Sequence, residues 1–458
     1  MKKIVHIYIF SFSVFSCGIN SCSFLDENPV DRLVVDNFYT SEKDAQAAVD
    51  ATYQQLNSLY NRLMYMMAEL PTDMMKNGLG MPNANLQDLE FLRFNSQNTF
   101  IKDMWKNCYS GISRANTAIA KIPEIKMNES KKNRLIAEAR TLRALYYFNL
   151  VRFFGDVPLI LDLKTVEDSK GPRDSKELIY DQIIEDLTFA EEHLPLRSEY
   201  SASDEGRINK GAAKILFGKV YLTKGDFQKA KDKLAEVVEH ESEYGFGLHK
   251  DYHANWLRDT EAGIEAVLYI EYKEPPFQHN GEMALAGPKY SIPGSLGISA
   301  LNEADIPTQE LYDQFDNRDL RKKTNFKTEF AHLKTGEILK SSIPLSGKFW
   351  VEGLETGDRC DVNMHIIRYA DAILMYAEAL NEVGKSTKAL AMLNRIRERA
   401  FGDDSGNFKP MSKDEFRTAI LNERRLEFPH EGHRWFDLVR TGTFNSTNER
   451  SIVHMKQK

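Results

Sequence analysis

The sequence predicts a mainly α-helical protein, with tetratricopeptide-like helical hairpins as a scaffold and a loop-rich, irregular half containing short strands. Three observations lead there. Long amphipathic patterns end at clear stop signals, two distant segments share one internal spacing, and a late interval is rich in glycine and proline.

The helical patterns are explicit. "RLIAEARTLRALYYFNLVRFFG" (134–155) is rich in Ala, Leu and Arg and closes at Gly155, and Pro158 prevents the helix from resuming. "SKELIYDQIIEDLTFAEEHLP" (175–195) opens on Ser175 as an N-cap, carries a Leu/Ile/Ala stripe and stops at Pro195.

The repeat lies further on. "GKVYLTKGDFQKAKDKLAEVV" carries Gly218, Tyr221, Gly225, Ala230, Leu234 and Val237. "AEALNEVGKSTKALAMLNRI" carries Ala377, Leu380, Gly384, Ala389, Leu393 and Ile396 at the same offsets. This is the tetratricopeptide spacing. A small residue permits close helix approach, a glycine turns the chain, and larger residues fill the seam. Weaker copies are Ile183, Leu187, Ala190 and Pro195, then Gly111, Ala115, Ala118 and Pro123. Four such hairpins bury one another's faces as a single scaffold.

The third observation is the interval 244–365, which holds 11 of the 26 glycines and includes "YKEPPFQHN", "GPKYSIPGSLG" and "KFWVEGLETGD". Such stretches read as ordered loops, and "EAVLYIEYK" (265–273) reads as a short strand. The expected organisation is a signal segment over 1–21 and one domain over 22–458. Its scaffold lies mainly in 100–240 and 366–442, and its ligand-facing insert in about 244–365.

The start is distinctive. Lys2 and Lys3 precede "IVHIYIFSFSVFS", an apolar run too short to span a bilayer, which calls for about 20 residues. A basic start and a short apolar run are the pattern of a secretory signal. The whole chain carries a net charge of −7, and without residues 1–21 it carries −9, an acidic balance that argues against nucleic-acid binding. Four cysteines in 458 residues are no disulfide framework. Cys108 and Cys360 either pair with each other or stay as buried thiols.

Catalytic patterns are missing from the reading. His430 and His433 in "PHEGH" are three apart, whereas a zincin needs two histidines at i and i+4. "PGSLG" (293–297) is not a nucleophile elbow, and "GLGMPN" (78–83) lacks phosphate-loop spacing. No catalytic residue, metal or cofactor is assigned. The charged stretch "NERRLEFPHEGHRWFDLVRTG" (422–442) reads as a buried, mutually paired network, with partners at i+3 and i+4 along a helix.

Several stretches together resemble the SusD/RagB family of outer-membrane nutrient-binding lipoproteins. They are "SCSFLDENP", "AEARTLRALYYFNLVRFFGDVPLI" (137–160), "GRINKGAAKILFGKVYLTKGDFQKA" (206–230), "IRYADAILMYAEALNEVG" with "ALAMLNRIRERA" (367–400), and "ERRLEFPHEGHRWFDLVR" (423–440). The resemblance implies a non-enzymatic receptor on the extracellular face of the outer membrane. It would bind an oligosaccharide or polysaccharide and pass it to a SusC-like TonB-dependent transporter. A peptide ligand is the alternative, and a lipid-anchored hydrolase a third reading. The resemblance also implies lipidation of a cysteine after the leader: Cys22, with Cys17 as its rival. Relatives usually continue past "DLVR" into a Pro/Asn-rich tail, whereas this sequence stops at "NERSIVHMKQK", a tail either naturally short or truncated.

A sugar receptor needs exposed aromatic platforms and polar side chains at their rim. The candidates are Asp73, Asn77, Asn83 and Asn85 in "PTDMMKNGLGMPNANLQ" (71–87), and Phe277, His279, Asn280 and Tyr290 in the insert. Trp256 reads as core, and Trp350 is left open. Met67, Met74, Met75 and Met81 cluster near the first stretch and, as an adaptable surface, slightly raise the peptide alternative, or a sugar bound mainly by hydrogen bonds.

Overall fold

The computed structural model describes residues 39–78, 83–162, 171–273 and 282–444. Cys17, Cys22, Phe277, His279, Asn280 and Met81 lie outside them.

The main helices include those read from 134–155, 175–195 and the repeat segments. They are α1 (Glu42–Tyr60), α2 (Leu63–Ala68), α3 (Ala84–Glu90), α4 (Thr99–Lys121), α5 (Glu129–Phe154), α6 (Lys176–His193), α7 (Lys210–Lys224), α8 (Phe227–Val238), α9 (Tyr369–Glu382), α10 (Ser386–Phe401), α11 (Lys413–Glu427) and α12 (Arg434–Arg440). α5 starts five residues before the apolar pattern does. Asn128 caps it by accepting the N–H of Lys131 at 3.0 Å, and the first turn is polar. Ser175 caps α6, as its position in the sequence predicts.

Consecutive helices pack: α4 on α5, α5 on α6, α6 on α7, α7 on α8 and α9 on α10. α8 also packs on α9 across the long insert. The shared spacing has its expected physical roles. Gly225 and Gly384 turn the two hairpins at φ +80° and +77°. Ala230, Leu234, Ala389, Leu393 and Ile396 are fully buried. A Cβ on Gly218 would lie 2.5 Å from Leu234, so only the smallest residue fits this approach. No atom crowds Gly225 or Gly384, so alanine there meets only the backbone cost of a left-handed residue. Gly225→Ala and Gly384→Ala are each expected to lose about 1 kcal/mol, read from urea midpoints. Unchanged midpoints would reject that account.

The irregular half holds three two-stranded antiparallel pairs among the described residues. β1 (Met75–Asn77) pairs with β3 (Asp305–Pro307), β2 (Ala266–Ile270) with β6 (Met364–Arg368), and β4 (Phe326–Ala331) with β5 (Ile338–Ser346). β2 falls in the predicted run, and β6 leads directly into α9. A satellite core of Tyr65, Trp256, Phe349, Cys360 and Met364 packs beneath these strands. Trp256 is therefore core, and Trp350 is half-buried against Phe330 at 4.7 Å. Cys108 and Cys360 are buried in separate clusters, so they do not pair with each other.

The charged stretch is buried, but its pairing differs from the sequence expectation. Most partners come from other elements. Arg424 binds Asp371 at 2.7 Å and Asp437 at 2.8 Å, Arg440 binds Glu378, and Arg434 binds Asp73. Only Arg440 with Asp437 keeps the i, i+3 relation within the stretch. A helix end packed into a core meets partners from facing elements before its own neighbours. His430 and His433 are both buried, and burial pushes their pKa values down to about 3. Among the described residues no helix is long and apolar enough to cross a membrane.

Candidate functional site

The two stretches named as ligand regions meet through β1 and β3, although some 230 residues separate them. Met75 pairs with Pro307, Lys76 with Ile306 and Asn77 with Asp305. The seam continues on both sides. Thr308 donates its N–H to the carbonyl of Met74 at 2.8 Å, and Gly78 donates to that of Ala304 at 3.1 Å. A Cβ on Gly78 would fall 1.9 Å from the Glu303 carbonyl oxygen, so the close approach requires glycine.

Glu303 turns this seam into a platform. One of its carboxylate oxygens accepts three backbone N–H groups: Lys289 at 2.8 Å, Tyr290 at 2.8 Å and Ser291 at 3.0 Å. Three charge-assisted bonds to one oxygen fix the turn. The next residue, Ile292, is buried with Leu296, Leu301, Ile306, Phe330 and Leu345. Tyr290 is left pointing outward at 59 % exposure, with the Lys289 ammonium 5.5 Å from its ring centroid. The sequence reading picked Tyr290 but missed Lys289, Ser291 and the holding residue Glu303. The signal available was the rigid frame "GPKYSIPG", with proline on both sides of the tyrosine.

The polar candidates separate. Asn77 sits at the seam, its N–H donating to Glu90 at 3.2 Å. Asn83 and Asn85 serve local structure. Asn83 caps α3 by accepting the Asn85 N–H at 2.9 Å, and the Asn85 side chain accepts from the N–H of Thr99 at 3.1 Å. Asp73, expected at the ligand, is instead a buried ion-pair partner. Arg434 reaches both its oxygens, at 2.8 and 2.7 Å, and Arg425 approaches at 3.3 Å. Burial alone would raise its pKa, but the two guanidiniums outweigh it and hold the carboxylate below its ordinary value. Met67, Met74 and Met75 are buried in the core, so they form no adaptable surface.

What this arrangement can do is bind. It presents a flat, amphipathic ring on a rigid turn, and among the described residues no cluster of three His, Cys, Asp or Glu could hold a metal.

The chain matches two family models: "Starch-binding associating with outer membrane" over residues 23–222 and "SusD family" over residues 343–458. It is 30% identical to a SusD-like protein of Formosa agariphila, over 96% of this chain and 91% of that one. The chain belongs to the SusD family. Among curated SusD relatives, a SusD-like protein of Bacteroides ovatus is 26% identical over 92% of this chain and 79% of its own length. Among solved structures, a laminarin-binding SusD-like protein superposes with a TM-score of 0.76 at 28% identity, covering 89% of this SusD chain and 93% of its own. A SusD superfamily protein from Parabacteroides distasonis superposes with a TM-score of 0.77 at 26% identity, covering 89% of each chain. The mainly helical fold read from the sequence is thus the fold of SusD proteins.

Proposed function

We propose that this protein is a non-catalytic receptor that binds an extracellular oligosaccharide or polysaccharide and passes it to a SusC-like TonB-dependent transporter. The observation that carries this reading is the match, over nine-tenths of the chain, to a SusD-like protein that binds laminarin. Tyr290 supports it from the geometry. An exposed aromatic ring on a turn locked by Glu303 offers a preformed face for the C–H side of a sugar. In this reading Cys22 carries acyl chains on the extracellular face of the outer membrane, and Cys17 is its rival. Several acyl chains give stable anchoring, since each buried CH₂ contributes about 0.8 kcal/mol. The peptide alternative loses the methionine argument, because three of the four methionines are core.

The test is calorimetric titration of the purified chain with a laminarin-derived oligosaccharide. Binding without breakdown is expected, and Tyr290→Ala should weaken it about tenfold, the equivalent of about 1.4 kcal/mol. Hydrolysis of the oligosaccharide by the purified chain, lost on changing a single carboxylate, would replace the receptor with an enzyme.

A further inference from the structure

A groove of about 550 Å³, whose lining does not include Tyr290, lies between the start of α4, the end of α5 and α12. Its size is that of a small-molecule site. Phe94, Trp105, Phe154 and Trp435 form its walls. The ring of Trp105 is held edge-on to Phe154 at 5.2 Å, so its plane is set before any ligand arrives. Phe94 remains 36% exposed. The indole N–H of Trp435 has no acceptor among the described residues.

Two cations stand at the rim, Lys102 and Arg173. Both are exposed. The Lys102 ammonium contacts the Gln97 amide oxygen at 3.4 Å. Arg173 donates through one nitrogen to the carbonyls of Phe154 and Asp156, at 3.4 and 3.3 Å, and its guanidinium lies 5.7 Å from the Trp105 ring centroid. Neither makes an ion pair with a carboxylate of the described residues, in a chain whose net charge is −7. Two cations without carboxylate partners among the described residues, beside edge-on aromatic rings, complement a ligand with flat C–H faces and a negative charge.

We infer that this groove is a second glycan site, and that it takes acidic sugars, those bearing a carboxylate or a sulfate. The sugar ring lies on Trp105 and Phe94, and Arg173 and Lys102 bind the anionic group, Arg173 through its forked N–H pair. A purely apolar ligand would leave both cations without a role. The class of ligand rests on the receptor reading above, whereas the site rests on its own geometry.

The experiment follows tryptophan emission of the full chain, since Trp105 and Trp435 line the groove while Trp256 is core. The probes are a galacturonate tetrasaccharide, a sulfated galactose tetrasaccharide and the neutral laminaritetraose. A charged probe is expected to shift the emission saturably and more weakly at raised salt. Which of the two does so identifies the anionic group. Arg173→Gln, an exposed change that spares the core, should lower that affinity at least about tenfold, and so should Trp105→Ala, while Tyr290→Ala leaves it unchanged. Silence of both charged probes, or equal affinity in the Arg173→Gln chain, overturns the site. If laminaritetraose still binds through Tyr290 in that case, the receptor reading survives and only the second site falls.

Discussion

Arg368→Leu is expected to destabilise the fold by about 3–5 kcal/mol, enough to leave much of the chain unfolded. Arg368 is completely buried at the end of β6. Its guanidinium binds Glu431 at 2.7 and 2.8 Å and Glu427 at 3.1 Å, and it also pairs with Glu265. Leucine fills much of the volume but leaves three buried carboxylates short of a partner. Arg399 compensates in part, because it also reaches Glu265 and Glu427. Among the described residues Glu431 keeps only Lys348 as an ion-pair partner, at 2.6 Å. A useful control is Arg417→Leu: this arginine is half exposed, its partner Glu382 keeps Lys413 at 3.1 Å, and the change is expected to cost at most about 1 kcal/mol. Equal urea midpoints for the two variants would sink the argument.

The same network sets the acid limit of the fold. Burial pushes the Glu427 carboxyl up, yet Arg399, Arg368 and Arg321 outweigh that and hold its pKa at about 2, below the ordinary 4.5. Its stabilising contribution is therefore complete above about pH 4.5 and fades as the pH falls toward 2.

The second large effect has the opposite sign. Asp305 pairs with Asn77 at the β1–β3 seam, is fully buried, and neither of its oxygens has a hydrogen-bond partner among the described residues, the His430 ring nitrogen standing 3.8 Å from one of them. Its pKa is pushed up from 3.8 to about 7, by burial first and by the charge of Glu90 second. The folded state thus binds a proton that the unfolded chain releases. The associated stability is complete below about pH 4 and lost as the pH rises through 7. The two pH units from about 5 up to that pKa correspond to about 3 kcal/mol. Asp305→Asn should remove about that much of the stability lost between about pH 5 and pH 8. Glu261, also raised to about 7 by burial, keeps a smaller slope in the variant. The measurement is urea unfolding at the two pH values, and an unchanged pH slope in Asp305→Asn would dismiss the buried acid as its source.

What could be read from the sequence divides along physical lines. Helical hairpins are written locally: Gly218, Ala230 and Leu234 meet within 16 residues, and their spacing alone says so. Stop signals such as Gly155 and caps such as Ser175 act within one turn. The site is assembled at long range. No local pattern pairs Met75 with Pro307, because a three-residue strand has almost no periodicity to read. Asp73 looked like a loop carboxylate, and only the return of Arg434, 361 residues later, makes it a buried partner. The same distance effect redirected the charges of 422–442 from helix neighbours to facing elements. Tyr290 was found because it is an aromatic residue in the glycine- and proline-rich insert, where ordered loops were expected.

The hold that Glu303 keeps on residues 289–291 grips amide hydrogens alone. Every amino acid except proline supplies the same amide, so the turn keeps its shape whatever side chains it displays. A lineage can therefore exchange tyrosine for another residue here without redesigning the turn that presents it.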